Sequence, residues 1–127
     1  MKQVLVDSSV WIEFLKGNKE YFAPMIALME NGEIYSLELI FAELLHGVKN
    51  TRELNLITDF YRQLRVLDQR GLIFESGDFS RKAKLINRGI DLIDAVIIHS
   101  AEKLGLEVWT LDRKILSFLG YKSVYHP

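Results

Sequence analysis

The sequence predicts an α/β protein, a three-layer α/β/α sandwich with helices on both faces of a central, mostly parallel sheet. Short apolar runs such as VLV at 4–6 alternate with longer segments whose apolar residues recur at three- and four-residue intervals. The short runs are typical of buried parallel strands, and the longer spacing is typical of amphipathic helices. Strands that alternate with helices form a parallel sheet covered on both faces.

The individual elements follow from these patterns and from their end signals. The first strand ends at Asp7, and we expect Ser8 or Ser9 to cap the helix that follows, which ends near Gly17. Gly105 ends the most apolar helix. The predicted strands are 4–6, 34–36, 66–67, 108–110 and 123–125, and the later predicted helices are 21–30, 37–48, 52–64, 79–88, 92–104 and 115–119.

Composition limits the classes of protein to consider. The chain has 127 residues, 49% of them apolar, and no linker-like segment divides it, so one domain over residues 1–127 is predicted. The absence of cysteine excludes disulfides, thiolate zinc sites and cysteine nucleophiles. A formal net charge of −1 argues against a bulk electrostatic nucleic-acid binder, but not against an enzyme with locally placed basic residues.

No apolar run approaches the length of about 18 residues that suggests a membrane span, and the first apolar run is too short for a signal peptide. We therefore expect a cytoplasmic protein that does not cross a membrane.

Two acids follow predicted strands directly. Asp7 ends the first strand, and Asp112 follows the strand that ends at Thr110. Ligands of open parallel sheets bind outside the carboxyl ends of the strands, which favours a functional role for both acids. Each acid alone is equally typical of a helix cap or a turn.

Asp94 lies on the apolar side of the helix predicted for 92–104, where a carboxylate is costly unless it is paired, hydrogen-bonded or bound to metal. The alternative is that Asp91 caps this helix and that Asp94, its third residue, bonds back to the cap. On the helix of 37–48, Glu43 borders one edge of the apolar stripe and Glu38 borders the other. Helical periodicity does not choose between these two glutamates.

Four segments occur in a characteristic order: VLVDSS at 4–9, FAELLHG at 41–47, IDAVI at 93–97 and TLD at 110–112. Together they resemble the motifs of the PIN-domain family, particularly its VapC-type toxin ribonucleases from toxin–antitoxin pairs. The resemblance spans nearly the whole chain. Each motif is weak singly, and their order and spacing make the resemblance specific.

The resemblance implies a metal-dependent endoribonuclease whose acidic site maps onto Asp7, Glu43, Asp94 and Asp112. It implies that the first, third and fourth of these acids hold metal, and their oxygen ligands favour Mg²⁺ or Mn²⁺. Many family members have a further acid at the position of Lys114, so this chain departs from the family at one point of a second metal site.

Neighbouring residues receive supporting roles in this interpretation. Ser8 and Thr110 match the family's hydroxyl residues, and we expect them to hold carboxylates or water from behind the site. Arg113 and Lys114 adjoin the last acid and are expected to contact the RNA backbone.

The resemblance further implies a homodimer and a cognate antitoxin whose tail lies in an apolar groove. Five residues near the first two helices would supply the groove or belong to the core: Trp11, Phe14, Leu15, Tyr21 and Phe22. Two rival functions remain. A PIN-fold binding module that has lost cleavage is favoured by Lys114. A phosphoryl-accepting receiver-like domain is disfavoured because it needs an acid pair where this chain has Asp7-Ser8-Ser9.

Overall fold

The computed structural model describes residues 2–127 and contains one parallel sheet with helices packed around it. The sheet order is β3-β2-β1-β4, so β1 is central and pairs with both β2 and β4. The predicted three-layer α/β architecture is confirmed. The strands are β1 (Val4–Val6), β2 (Ile34–Ser36), β3 (Arg65–Val66) and β4 (Glu107–Trp109).

Two groups of helices flank the sheet. The structure has α1 (Ser8–Leu15), α2 (Lys19–Glu30), α3 (Glu38–His46), α4 (Thr51–Gln63), α5 (Leu72–Ala83), α6 (Leu92–Leu104) and α7 (Arg113–Phe118). Helix α1 contacts α2 and α3, and α3 contacts α4, whereas α5 contacts α6. Within residues 2–127, none of these helices combines the length and the apolarity needed to cross a lipid bilayer.

The N-cap of α1 differs from the prediction. Asp7 itself is the cap, with an extended backbone and a carboxylate that accepts a hydrogen bond from the Ser8 amide at 2.8 Å. Ser8 and Ser9 are therefore the first residues of the helix and not its cap. Aspartate is as good a cap as serine, so the sequence alone does not separate the two arrangements.

The helix predicted for 79–88 is wrong in both bounds. Helix α5 begins seven residues earlier, at Leu72, after a left-handed Gly71 that offers no capping side chain. It ends before Lys84, whose φ of 55° is left-handed and breaks the helical path. A short 3₁₀ helix (Leu85–Arg88) follows.

The last predicted strand, 123–125, is also not present as a strand. Tyr121–Ser123 forms a 3₁₀ turn, and only Val124 makes an isolated parallel bridge, to Val108 of β4. The amide of Tyr125 donates to the Val108 carbonyl at 2.9 Å. The chain end thus touches the sheet edge for too short a distance to form a ladder.

An aromatic cluster anchors α1 against α3 and α4. Trp11 is completely buried, and its ring centroid lies 5.1 Å from that of Phe41 and 5.5 Å from that of Phe60. Phe14 is only 7% exposed. The groove role that the sequence left open for Trp11 and Phe14 is therefore wrong, because both are core residues. Phe22 stacks on Phe14 at 5.8 Å but stays 52% exposed.

Trp11→Ala should lower the free energy of unfolding by about 3–5 kcal/mol because it opens a cavity at the centre of this cluster. Phe22→Ala, in the same cluster but half exposed, should cost no more than about 1.5 kcal/mol. Urea denaturation followed by circular dichroism measures both. Equal losses in the two variants would contradict this account of the core.

Candidate active site

Asp7 is a buried carboxylate at the carboxyl end of the central strand, with only 5% of its surface exposed. Its amide donates to the Trp109 carbonyl at 2.9 Å, which continues the β1–β4 pairing up to the acid. Its Oδ1 accepts from the Ser8 amide at 2.8 Å, and its Oδ2 accepts from the hydroxyls of Ser9 at 2.8 Å and Thr110 at 2.7 Å. Three donors offset the cost of burying the charge and hold the carboxylate in one orientation.

Sequence reasoning missed Ser9 as a supporting residue. Its hydroxyl donates to Asp7 and accepts from the Leu111 amide at 3.0 Å, so it ties α1 to the loop after β4. Thr110 makes the matching connection, because its hydroxyl also accepts from the Asp112 amide at 3.0 Å. The only signal for Ser9 in the sequence is a second hydroxyl residue two positions after the acid.

Asp112 caps α7, which is the structural role that the sequence left open for this acid. Its Oδ1 accepts from the amides of Lys114 at 2.8 Å and Ile115 at 3.0 Å. Both bonds use the same oxygen, and among residues 2–127 no donor occupies Oδ2. Capping therefore leaves half of this carboxylate open to solvent or to a ligand.

Asp94 lies in the first turn of α6, half buried. Asp91 caps the helix by accepting from the Asp94 amide at 2.9 Å, but no return bond from the Asp94 carboxylate occurs within the described chain. Burial of the carboxyl and then the charges of Asp91, Asp112, Asp7 and Glu43, in that order, together raise the pKa of Asp94 to about 7. The Asp94 carboxylate therefore does not bond back to its own helix cap, and the charges of four neighbouring acids act on it.

The structure distinguishes Glu43 from Glu38. Glu43 lies near the first acid, since the Ser8 hydroxyl is 3.5 Å from its Oε1. Desolvation of the carboxylate and then the charge of Asp7 raise the pKa of Glu43, although the residue as a whole is exposed. Glu38 lies elsewhere, and its amide donates to Asp68 at 2.8 Å.

The four predicted acids thus share one negative potential. Within residues 2–127, however, no three acidic or histidine side chains are already arranged to hold a metal ion. The donors are all carboxylate oxygens whose mutual repulsion a cation would relieve, and this chemistry fits Mg²⁺ or Mn²⁺. The assignment of Asp7, Asp94 and Asp112 as metal ligands stays a prediction.

Arg113 and Lys114 are exposed in the first turn of α7, beside Asp112. Neither residue forms an ion pair within the part of the chain that the structure describes. The Lys114 side chain lies against Gly89, in the loop that leads into α6. Its Nζ is 3.5 Å from the position that a Cβ would take on Gly89. Their charges are available to a phosphate at the edge of the acidic site.

The fold and site define an α/β protein with an acidic cluster at the carboxyl edge of a parallel sheet. Its family follows from comparison with known proteins. The chain belongs to the PIN domain family, whose model matches residues 4–118.

Among curated proteins, the chain is similar to Ribonuclease VapC32 from two strains of Mycobacterium tuberculosis. The identity is 29% over 115 residues, which cover 88% of this chain and 86% of the relative.

Among solved structures, the fold is similar to VapBC2 from Rickettsia felis bound to a DNA fragment from their promoter, with a TM-score of 0.70, 18% identity and 95% of each chain covered. It is also similar to PAE2754 from Pyrobaculum aerophilum, with a TM-score of 0.60 and 20% identity over 98% of this chain and 90% of that one. These two structural similarities support the assignment of the fold alone.

Asp94→Asn should stabilise the metal-free protein above pH 7. Because the pKa of Asp94 is raised from 3.8 to about 7 on folding, stability falls as the pH rises between these values and stays reduced above them. Removing the charge should gain about 1–3 kcal/mol at pH 8 and almost nothing at pH 4, allowing for solvent screening. Urea denaturation in EDTA measures this, with the exposed Asp59→Asn as control. A loss of stability of Asp94→Asn at pH 8 would contradict the claim that the Asp94 charge is unfavourable in the metal-free site.

Ser9→Ala should lower the free energy of unfolding by about 1–3 kcal/mol, because it removes a donor from buried Asp7 and leaves the Leu111 amide without its partner. The exposed Ser117→Ala should change it by less than about 0.5 kcal/mol. Thermal denaturation at pH 7 compares the two variants. Equal, small effects would mean that Ser9 does not hold the acid.

Proposed function

We propose that this protein is an Mg²⁺- or Mn²⁺-dependent endoribonuclease that hydrolyses RNA phosphodiester bonds as the toxin of a toxin–antitoxin pair. The observation that carries the proposal is the convergence of Asp7, Glu43, Asp94 and Asp112 at the carboxyl edge of the sheet, where burial and then the charges of Asp91, Asp112, Asp7 and Glu43 raise the pKa of Asp94. Membership of the PIN domain family and the likeness to a protein named Ribonuclease VapC32 support it.

Asp7, Asp94 and Asp112 would hold the metal, directly or through water. When bound, Mg²⁺ or Mn²⁺ supplies charge neutralisation and Lewis-acid polarisation of the scissile phosphate. Oδ1 of Asp7 and Oδ2 of Asp112 are the oxygens that their hydrogen bonds leave most open. The proton that Asp94 carries near neutral pH would be released when a cation binds.

Glu43 would complete the site or orient the attacking water. Its carboxylate lies at the rim beside Ser8, and its raised pKa makes it a better proton acceptor than an ordinary glutamate. Thr110 holds Asp7 from behind through a 2.7 Å hydrogen bond. The supporting role predicted for Ser8 would be exerted on Glu43 by its hydroxyl and on Asp7 by its amide.

Arg113 and Lys114 would hold the RNA backbone beside Asp112, since both are exposed and free of ion pairs in residues 2–127. Lys114 stands where many family members have a further acid. The positively charged Lys114 would thus stand on the side of the site where a second metal ion would need a ligand.

The proposed partners are a cognate antitoxin protein and a second copy of this chain. The similarity of the fold to the solved structure of VapBC2 supports an antitoxin partner by analogy. We also propose that residues 1–127 act as one PIN domain and that the enzyme works in the cytoplasm, where its RNA substrate is.

A second candidate function is a PIN-fold module that binds RNA or protein without cleaving it, and Lys114 is the residue that favours it. The receiver-like interpretation is set aside, because the chain belongs to the PIN domain family.

Purified protein should cleave structured RNA in Mn²⁺ or Mg²⁺, and EDTA should stop the reaction reversibly. Asp7→Asn and Asp94→Asn should each lower the rate by at least about 100-fold, equivalent to about 2.7 kcal/mol of transition-state stabilisation. Asp59→Asn, an exposed acid on α4, should leave the rate unchanged.

Gel electrophoresis of labelled RNA measures the rates, and circular dichroism confirms that each variant is folded. Undiminished cleavage in both site variants would show that the activity belongs to another site or to a contaminant. Binding of RNA without cleavage by the unchanged protein would establish the binding module instead.

A further inference from the structure

A cavity of about 380 Å³ lies between α1, α3 and α4, beside the acidic cluster. Its size falls within the range of small-molecule and cofactor sites. Most of its inner surface is apolar. The apolar residues that line it are Ile12, Leu15, Leu44, Leu56 and Ile57.

The cavity and the acidic cluster share a wall. Glu43 lines the cavity, and its Oε1 lies 3.5 Å from the Ser8 hydroxyl. Ser8 in turn donates its amide to Oδ1 of Asp7 at 2.8 Å. A group bound in the cavity would therefore be adjacent to whatever the acids act on.

The other side of the cavity carries positive charge from Lys16, Lys49 and Arg52. Lys16 has only an exposed pair with Glu13 at 3.4 Å, and such a pair is weak. Within residues 2–127, no acid pairs with Lys49 or Arg52. These cations are therefore available to an anionic ligand.

The other acid on the cavity wall is already used in the backbone. Oε2 of Glu53 accepts the Lys49 amide at 2.9 Å, while Asn50 accepts the Glu53 amide at 2.9 Å. These two bonds resemble a capping box at the start of α4, with Glu53 reaching the amide of the residue before the N-cap. Glu53 thus stabilises a helix end, and the three basic residues of the lining outnumber its two acids, Glu43 and Glu53.

An aliphatic pocket with a cationic rim is complementary to a nucleotide, whose base is flat and largely apolar on its faces and whose phosphate is anionic. Only an unstacked nucleotide can place its base in a cavity, and single-stranded RNA offers such bases. A peptide tail is the competing occupant. The position of the cavity beside the acids favours the substrate, because a flanking nucleotide must lie next to the phosphate that is cut.

We propose that this cavity binds one unpaired nucleotide of the RNA next to the cleaved bond, with the base against Leu15 and Leu56 and the phosphate against Lys49 and Arg52. The proposal rests on the proposed ribonuclease function and adds a base-selecting subsite to it. Neither Lys49 nor Arg52 belongs to the acidic motifs.

The test is cleavage of a pool of single-stranded RNA with a randomised stretch, in Mn²⁺, with sequencing of the cut ends and steady-state kinetics on a preferred member. Leu56→Trp fills the cavity, and Arg52→Glu reverses the charge of its rim. Leu54→Trp and Arg62→Glu are matched controls, because they lie exposed on the same helix without lining the cavity. Circular dichroism verifies that all four variants fold.

Both cavity variants should raise KM at least tenfold with kcat within threefold of the unchanged protein, and Leu56→Trp should flatten the base preference at one position beside the cut. The two controls should retain both KM and base preference. Unchanged KM and preference in the cavity variants, with active unchanged protein, would overturn the proposal. The same result together with loss of binding to a co-expressed protein encoded beside this gene would assign the cavity to a protein partner and would also overturn it.

If the unchanged protein cleaves neither this pool nor structured RNA, the proposed function fails, and the cavity is tested separately by binding. Fluorescence anisotropy with the same single-stranded RNA then compares the four variants. At least tenfold weaker binding in Leu56→Trp and Arg52→Glu alone would support a nucleotide subsite. Equal binding in all four would overturn it.

Discussion

The parallel pairing of β1 with β4 is the interaction on which the acidic site depends. It brings Thr110 to within 2.7 Å of Asp7 across 103 positions of the sequence, and it presents Asp112 at the same edge of the sheet. Without this pairing, Asp7 would be a buried charge with too few donors, which is costly. The sheet register therefore determines both the stability of the first acid and the composition of the cluster.

The cluster carries an electrostatic cost that the surrounding helices partly offset. Asp7, Asp91 and Asp112 cap the N-termini of α1, α6 and α7, where main-chain amides and the helix dipole favour negative charge. Asp94, in the first turn of α6, caps no helix, and burial and then the charges of its acidic neighbours raise its pKa. The site is thus built from carboxylates that the fold stabilises individually but that repel one another collectively. A bound cation would relieve this repulsion between the carboxylates.

Much of this arrangement follows from local sequence rules, and the remainder depends on packing. Asp7 and Asp112 are identifiable because they end apolar strand segments, and Asp94 is identifiable because it interrupts an apolar helix face. Glu43 and Glu38 look alike in the helical pattern, and only the packing of α3 beside α1 separates them. The break at Lys84 follows from a left-handed backbone that its residue type does not favour. The cavity between α1, α3 and α4 has no local signature, since its walls come from three segments.

The most direct measurement is the anomalous diffraction of a crystal grown with Mn²⁺ at pH 8, where Asp94 is charged. The account predicts a manganese peak bound by Asp7, Asp94 and Asp112, directly or through water. Manganese bound only elsewhere, or an Asp94 carboxylate directed away from the other two acids in the loaded crystal, would contradict the claim that these carboxylates form one site.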